Sequence, residues 1–527
     1  MPLAAIESHF TTLDWVVVVG YMLMTTWIGH ALSGKNATIR DFFLGGRSLP
    51  WWAVSGSMVA TEISALTFIG VPGTVFALQG DWTYLQWGIG SIIARFAVGY
   101  WLVPLYYQKE IYSPYDYMGS RLGEGVRRLV TVLFSLGAIL GQSVRVLVTA
   151  IILTTVTGMG MEACILSIGA FAVVWTLMGG MRTVIWTDVV QFCIFILGGL
   201  LAFGWLCGHL GWESIVEINR HAGPDGSIDK MRVLDFTAPW NGPLLNYTFW
   251  VGVIAMPFQN LAAFGTDQLN AQRIFCCGNA KDARKAVVWS SVSLLTTLLM
   301  LAVGAGLFAW YHTNGLTPDE AAKFAENPNF VFPVWITTVL PPGLTGLILA
   351  GAFAAAISSL DSVLAALSQT SLSAWYGREK LEREGHGPQM VFRSRVMVVI
   401  WAAILSGFAI LLASGYRNND NKNLIDLAFG MVAYTYGPLL GVLLAAILPG
   451  RRSLYGLIAG VCVSILIVAW VRPELRQLLG SIGAHDLAKA LLDSRPRIAD
   501  PWFYPINAAI TLLGACLPLG RMTGAKK

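Results

Sequence analysis

Long apolar runs recur along the chain, separated by short polar or basic segments. Windows of roughly 18 to 25 mostly apolar residues fall at 12–34, 51–78, 84–107, 129–156, 160–179, 184–207, 244–272, 286–311, 343–376, 393–414, 424–448, 454–471 and 502–520. Each can cross a bilayer as a helix, which predicts about thirteen spans and an all-α membrane protein. Two windows are not plain apolar rods. The second is interrupted by Gly56, Gly70, Pro72 and Gly73 and carries Thr61, Glu62, Ser64 and Thr67 in its middle, and the seventh holds Pro257, Gln259 and Asn260. A helix broken at bilayer depth is tolerated only where its freed backbone groups meet protein, solute or a water-filled cavity. Two interrupted helices five spans apart predict an inverted repeat, 51–207 against 244–448, with solute and ions held between the halves.

The ninth window places Ser358, Ser359, Asp361 and Ser362 in the middle of an otherwise apolar stretch. Serines can satisfy themselves on the preceding turn of their own helix, but an intramembrane carboxylate cannot, and it marks an ion or proton path. Arg95 and Arg145 also fall inside spans. Arg145 lies among aliphatic residues, where a guanidinium must pair with an anion or reach water. Its planar fork matches a carboxylate with two parallel hydrogen bonds, which points to an acidic solute.

Composition agrees with a membrane address. The 527 residues are 55% hydrophobic and 12% charged, about half the charge of a soluble domain. Most of the 35 basic residues fall in alternate loops, including 108–128, 273–285 and 377–395, which predicts an outside N-terminus and a cytoplasmic C-terminus. The net charge of +5 reflects those loops and is no sign of nucleic acid. Seven cysteines without a CxxC pair suggest neither a disulfide framework nor a metal site. No basic n-region precedes the first span, as a cleaved signal peptide would require, and no Walker motif supports ATP-driven transport. The polar segments at 212–230 and 472–501 read as solvated external loops, with short helices lidding the outer vestibule as the lesser reading, and nothing indicates a protein partner.

The stretches WWAVSGSMVATEISALTFIG, GGMRTVIWTDVVQ, FGTDQLNAQR and AISSLDS together resemble the sodium:solute symporter family. The resemblance runs from about residue 12 to 450. It implies the five-plus-five inverted-repeat fold first seen in a leucine transporter, with an extra N-terminal helix at 12–34 and further C-terminal helices at 454–520. It also implies a multi-pass protein of a cell membrane, such as a bacterial inner membrane, that couples Na⁺ entry to solute uptake by alternating access. Na⁺ is then the coupling ion, and neither an organic cofactor nor enzymatic activity is expected.

The resemblance assigns a principal sodium site to Ala60, Ile63, Ala355, Ser358 and Ser359. Oxygens from an unwound turn and two hydroxyls suit a hard cation. A second cation site would use Asp188, Ser358, Asp361 and Ser362, although Asp361 stands where family members with two sites have a serine. Two carboxylates so placed repel, so a second Na⁺ bridges them or one keeps a proton. Sialic acid carriers of the family match at Ser64, Thr67, Gln86 and Arg145, and Trp82, Phe258, Gln259 and Asn260 are expected to line the same pocket. Glu62 departs from that pattern. It could be the permanent partner of Arg145, which would leave a pocket for a neutral sugar or a zwitterion. A solute sensor or channel on the same scaffold is the different-class alternative.

Overall fold

The computed structural model describes residues 10–32, 44–108, 111, 113–177, 181–238, 246–376, 388–417, 423–481, 484–496, 498–520 and 522–524. Helix α1 (Thr12–Leu32) is followed by α2 (Trp51–Glu62) and α3 (Leu66–Phe76), two arms bent by 59° at a short break. Next come α4 (Thr83–Tyr107), α5 (Pro114–Leu122), α6 (Glu124–Thr157), α7 (Met161–Thr176) and α8 (Met181–Leu210). The middle of the chain forms α9 (Trp212–Arg220), α10 (Val251–Gly265), α11 (Gln268–Ile274), α12 (Ala280–Asn314), α13 (Pro318–Glu326) and α14 (Val331–Val339). It closes with α15 (Leu344–Tyr376), α16 (Pro388–Arg417), α17 (Leu424–Ile447), α18 (Leu454–Val471), α19 (Pro473–Ser481), α20 (His485–Ser494) and α21 (Phe503–Cys516).

Among the described residues, nine helices are long and apolar enough to cross a membrane, and α2 with α3 makes a tenth span. The other three predicted windows fall on the shorter helices α7, α10 and α21. Lipid-facing surfaces carry Leu23, Trp27, Trp101, Val132, Leu411 and Leu466, all exposed. By contrast, 94% of the most apolar window of α15 is buried. The helix with the Ser/Asp cluster is thus the centre of the molecule.

Three spans share one local device. Widened π-turns at Leu66–Gly70, Val98–Leu102 and Val251–Ala255 each lead into a helical segment with proline near its start, Pro72, Pro104 and Pro257. Proline lacks an N–H and its ring clashes with the carbonyl four residues back, and widening the turn relieves both. Pro257 therefore does not break the seventh span. The interruption comes after Gly265, where Thr266 ends α10 and the Asp267 carboxylate caps α11 by accepting from the Leu269 N–H at 2.8 Å.

Helix α1 anchors the central helix. Asp14 is fully buried, and its Oδ1 accepts from the N–H groups of Gly343 and Gly346, both at 2.7 Å. These are orphan donors at the start of α15, and a carboxylate there also meets the positive end of the helix dipole. Gly346 is required by the approach, because a Cβ there would stand 2.7 Å from the Asp14 backbone.

The 212–230 stretch is not a solvated loop. Its Ile215 and Asn219, one helical turn apart, face inward on α9, and the Asn219 amide donates to the Ala305 carbonyl on α12 at 2.9 Å. Lys230 is buried, donates to the Ala77 carbonyl beyond the end of α3 at 2.5 Å, and lies 4.6 Å from the Phe308 ring centre. Burial pushes its ammonium down to about 8. The 472–501 segment likewise forms α19 and α20 rather than open loop.

Candidate functional site

The break between α2 and α3 follows from its sequence. Ile63 takes an extended conformation after α2, and Ser64 turns its hydroxyl onto the Leu66 N–H at 3.2 Å to start the next segment. Among the described residues, no backbone N–H donates to the carbonyls of Ala60 and Ile63. Ala60, Ile63, Ala355, Ser358 and Ser359 are all buried. The two elements meet through Arg145 on α6, whose Nη1 donates to the Thr61 carbonyl at 2.8 Å and to the Ser359 hydroxyl at 3.0 Å. Ser359 in turn donates to the Ala355 carbonyl at 3.2 Å.

A cavity opens beside this junction. Its space for water centres is about 190 Å³, far above the roughly 10–15 Å³ that one water needs. Of the residues assigned to solute from sequence, Glu62, Thr67, Arg145, Gln259 and Asn260 line it. Ser64, Trp82, Gln86 and Phe258 do not. Ser64 caps the turn just described, and Trp82 is packed in the core, its backbone N–H donating to the Arg232 carbonyl at 3.1 Å. Gln86 is spent on backbone: its amide donates to the Thr83 and Tyr247 carbonyls at 3.2 and 2.9 Å, and its oxygen accepts from the Asp235 N–H at 3.1 Å. Phe258 packs toward Phe503 and Tyr504.

Glu62 is not the partner of Arg145. It pairs with Arg95 on α4, which is fully buried and also bonds Ser91, Ser290 and Ser293 under the face of Phe264. Arg95, Asp267, Tyr436 and Gln142 escaped the sequence assignment. Asp267 and Tyr436 line the cavity and are joined at 2.7 Å. Gln142 also lines it, three residues before Arg145 on the same helix, and its Oε1 is buried without a hydrogen-bond donor. The spacing of three from Arg145 was the available signal, because such residues share a helix face.

Asp188, Ser358, Asp361 and Ser362 lie together in a second cluster, with one addition. Ser358 donates to Asp188 Oδ1, and Ser362 donates to Asp361 Oδ1 at 3.1 Å. Arg273 enters from α11: its Nη2 donates to Asp188 Oδ2 at 2.9 Å and to Ser362 at 2.7 Å, and its Nε to Ser57 on α2 at 2.8 Å. A guanidinium thus sits among the side chains assigned to a second cation. Asp188 is matched by it and does not pair with Arg182. Asp361 is buried and, among the described residues, pairs with no cation.

The fold and these motifs can be set beside known proteins. The chain is 27% identical over 467 residues to the sodium/sialic acid symporter of Proteus mirabilis, covering 88% of this chain and 90% of that one. It is 28% identical over 375 residues to the sodium/glucose cotransporter of Vibrio parahaemolyticus, covering 68% of each. Its fold matches a solved substrate-bound, outward-open Na⁺-coupled sialic acid symporter with a TM-score of 0.78 at 24% identity, over 98% of this chain and 100% of that one. The model of the sodium:solute symporter family matches residues 42–463. This chain therefore belongs to the sodium:solute symporter family and is a multi-pass, Na⁺-coupled solute transporter.

Proposed function

We propose that this symporter imports a carboxylated solute, of the class to which sialic acid belongs, across a cell membrane in which its N-terminus lies outside and its C-terminus in the cytoplasm. The observation that carries this is the state of Arg145. With Glu62 held by Arg95, no carboxylate pairs with Arg145 among the described residues, and its side chain lines a solute-sized cavity. An arginine so placed recognises an anion through its fork, and the Gln142 acceptor beside it suits a solute hydroxyl.

Na⁺ binds where the free carbonyls of Ala60 and Ile63 face Ala355, Ser358 and Ser359. Bound there, it ties α15 to the broken span and favours the state that accepts solute. Release to the cytoplasm follows rocking of one helix bundle against the other. At the second cluster, Arg273 supports a built-in cation in place of a second Na⁺, with Asp361 left as a site for a proton.

Thermal stabilisation of the purified protein tests the assignment, with organic acids and neutral sugars each in Na⁺ and in K⁺, for wild type and Arg145→Ala. A carboxylate should stabilise wild type only with Na⁺, and the variant should lose the effect. Stabilisation by neutral sugars and not by acids would overturn the acid assignment and move the carrier to sugars.

A further inference from the structure

Arg145 touches more than the solute cavity. Its Nη1 bridges the Thr61 carbonyl and the Ser359 hydroxyl, so one guanidinium nitrogen already joins the broken span to α15, the two elements that Na⁺ would join. Thr61 lies between Ala60 and Ile63, and Ser359 is itself an assigned sodium ligand whose hydroxyl points to a third, Ala355. Nε and Nη2 of Arg145 make no hydrogen bond among the described residues.

We propose that Arg145 is a movable anchor: it holds Ser359 while the sodium site is empty, and Na⁺ displaces it into the cavity, where it receives the solute carboxylate. This rests on the sodium and carboxylate assignments proposed above. The physical cause is simple. Na⁺ and a guanidinium are like charges, and sharing one buried hydroxyl oxygen sets them against each other where water screens little. Na⁺ entry therefore weakens the Arg145–Ser359 bond and lets the open Nε–Nη2 edge of the guanidinium swing into the cavity to meet the carboxylate. Linkage makes the effect reciprocal, so a solute that draws Arg145 away from Ser359 tightens Na⁺ by the same factor. Na⁺ binds first, and neither ligand is held well alone. Gln142, three residues away on the same face, stays in place and fixes where the displaced fork arrives.

The test is a Na⁺ titration of the full-length protein at constant ionic strength, with K⁺ as the replacement ion and the melting midpoint or tryptophan emission as the readout. It uses wild type, Ser359→Ala and two neutral variants, Arg145→Gln and Arg145→Met, so that one folded neutral variant suffices. Without solute, the neutral variants should bind Na⁺ at least about fivefold tighter than wild type, because the competing charge is gone. Sialic acid, as the carboxylate probe, should shift Na⁺ affinity in wild type and not in them. Na⁺ affinity equal to or weaker than wild type in the neutral variants, with the response lost in Ser359→Ala, would overturn the anchor and leave the sodium site standing. An unchanged Na⁺ response in Ser359→Ala would instead remove the sodium site, and the anchor with it.

Discussion

In the solute site proposed above, Gln142 would serve binding at the expense of folding. Its buried oxygen has no donor, a deficit of about 1–3 kcal/mol. Gln142→Leu should therefore melt at a higher temperature than wild type and bind solute about tenfold more weakly, about one hydrogen bond's worth; calorimetric melting and a solute titration would check the two opposite signs. Asp361 makes a similar case. Since no cation pairs with it among the described residues, Asp361→Asn should not lower stability, and it should change the pH dependence or the ion stoichiometry of uptake, measured in proteoliposomes. At this scale the sequence was legible where Asp361 and Arg145 stood as charges at membrane depth, whereas Asp188 came only from the family resemblance and Arg95 was left unassigned. It was silent on pairings. That Glu62 meets Arg95 rather than Arg145 depends on how α2, α4 and α6 are rotated about their axes, and apolar faces packed on apolar faces leave little trace of rotation in composition. Arg273 was assigned to a cytoplasmic loop, although it belongs to one of the family-like stretches and lies six residues after the Asp267 cap.

Helices were readable from apolar length, and the second span as interrupted from Gly56, Gly70, Pro72 and Gly73, although the break itself falls at Ile63 and Ser64. The seventh, read as interrupted around Pro257, Gln259 and Asn260, is interrupted nine residues after Pro257: a π-turn absorbs the proline, Thr266 ends the helix and Asp267 starts a new one. Helix α9 was missed because its surface is polar, and only Ile215 and Asn219 face the core. The cap on α15 supplies a prediction: Asp14→Ala removes the acceptor of two helix-start donors and should cost about 0.5–2 kcal/mol, seen as a lowered melting midpoint. Lys230 supplies another. Its charged form is penalised in the fold, with the ammonium at about 8 against an ordinary 10.5. Ordering the 221–238 segment therefore releases a proton between those values, so its order strengthens as pH rises from about 8 to about 10.5 and gains nothing below about 8. Hydrogen exchange of that segment, corrected for its intrinsic pH dependence, should slow between about pH 7.5 and about pH 9.5 in wild type and not in Lys230→Met.

For the whole molecule, apolar length and interrupted spans were enough to predict an all-helical polytopic transporter, while α7, α10 and α21 are shorter than the windows drawn over them. Two arginines hold the molecule together across its helices: Arg145 joins α6, the broken span and α15, and Arg273 joins α2, α8, α11 and α15. Any rocking motion that parts α11 from α8 must break the Arg273–Asp188 pair. Arg273→Gln should therefore favour the parted state, and the buried thiols of Cys276 and Cys277 should react faster with a water-soluble maleimide, read by mass spectrometry.

The bond from Asp14 to Gly343 spans 329 residues, and synthesis runs in one direction. At about 5–20 residues per second, the ribosome delivers the acceptor roughly 15–65 s before its donors. Through that interval the first helix waits at the membrane with Asp14 Oδ2 held by Thr11 and Oδ1 still without its α15 donors. The central helix α15 is thus closed off by the oldest part of the chain, and a nascent protein halted short of residue 343 is left with its first helix unlatched.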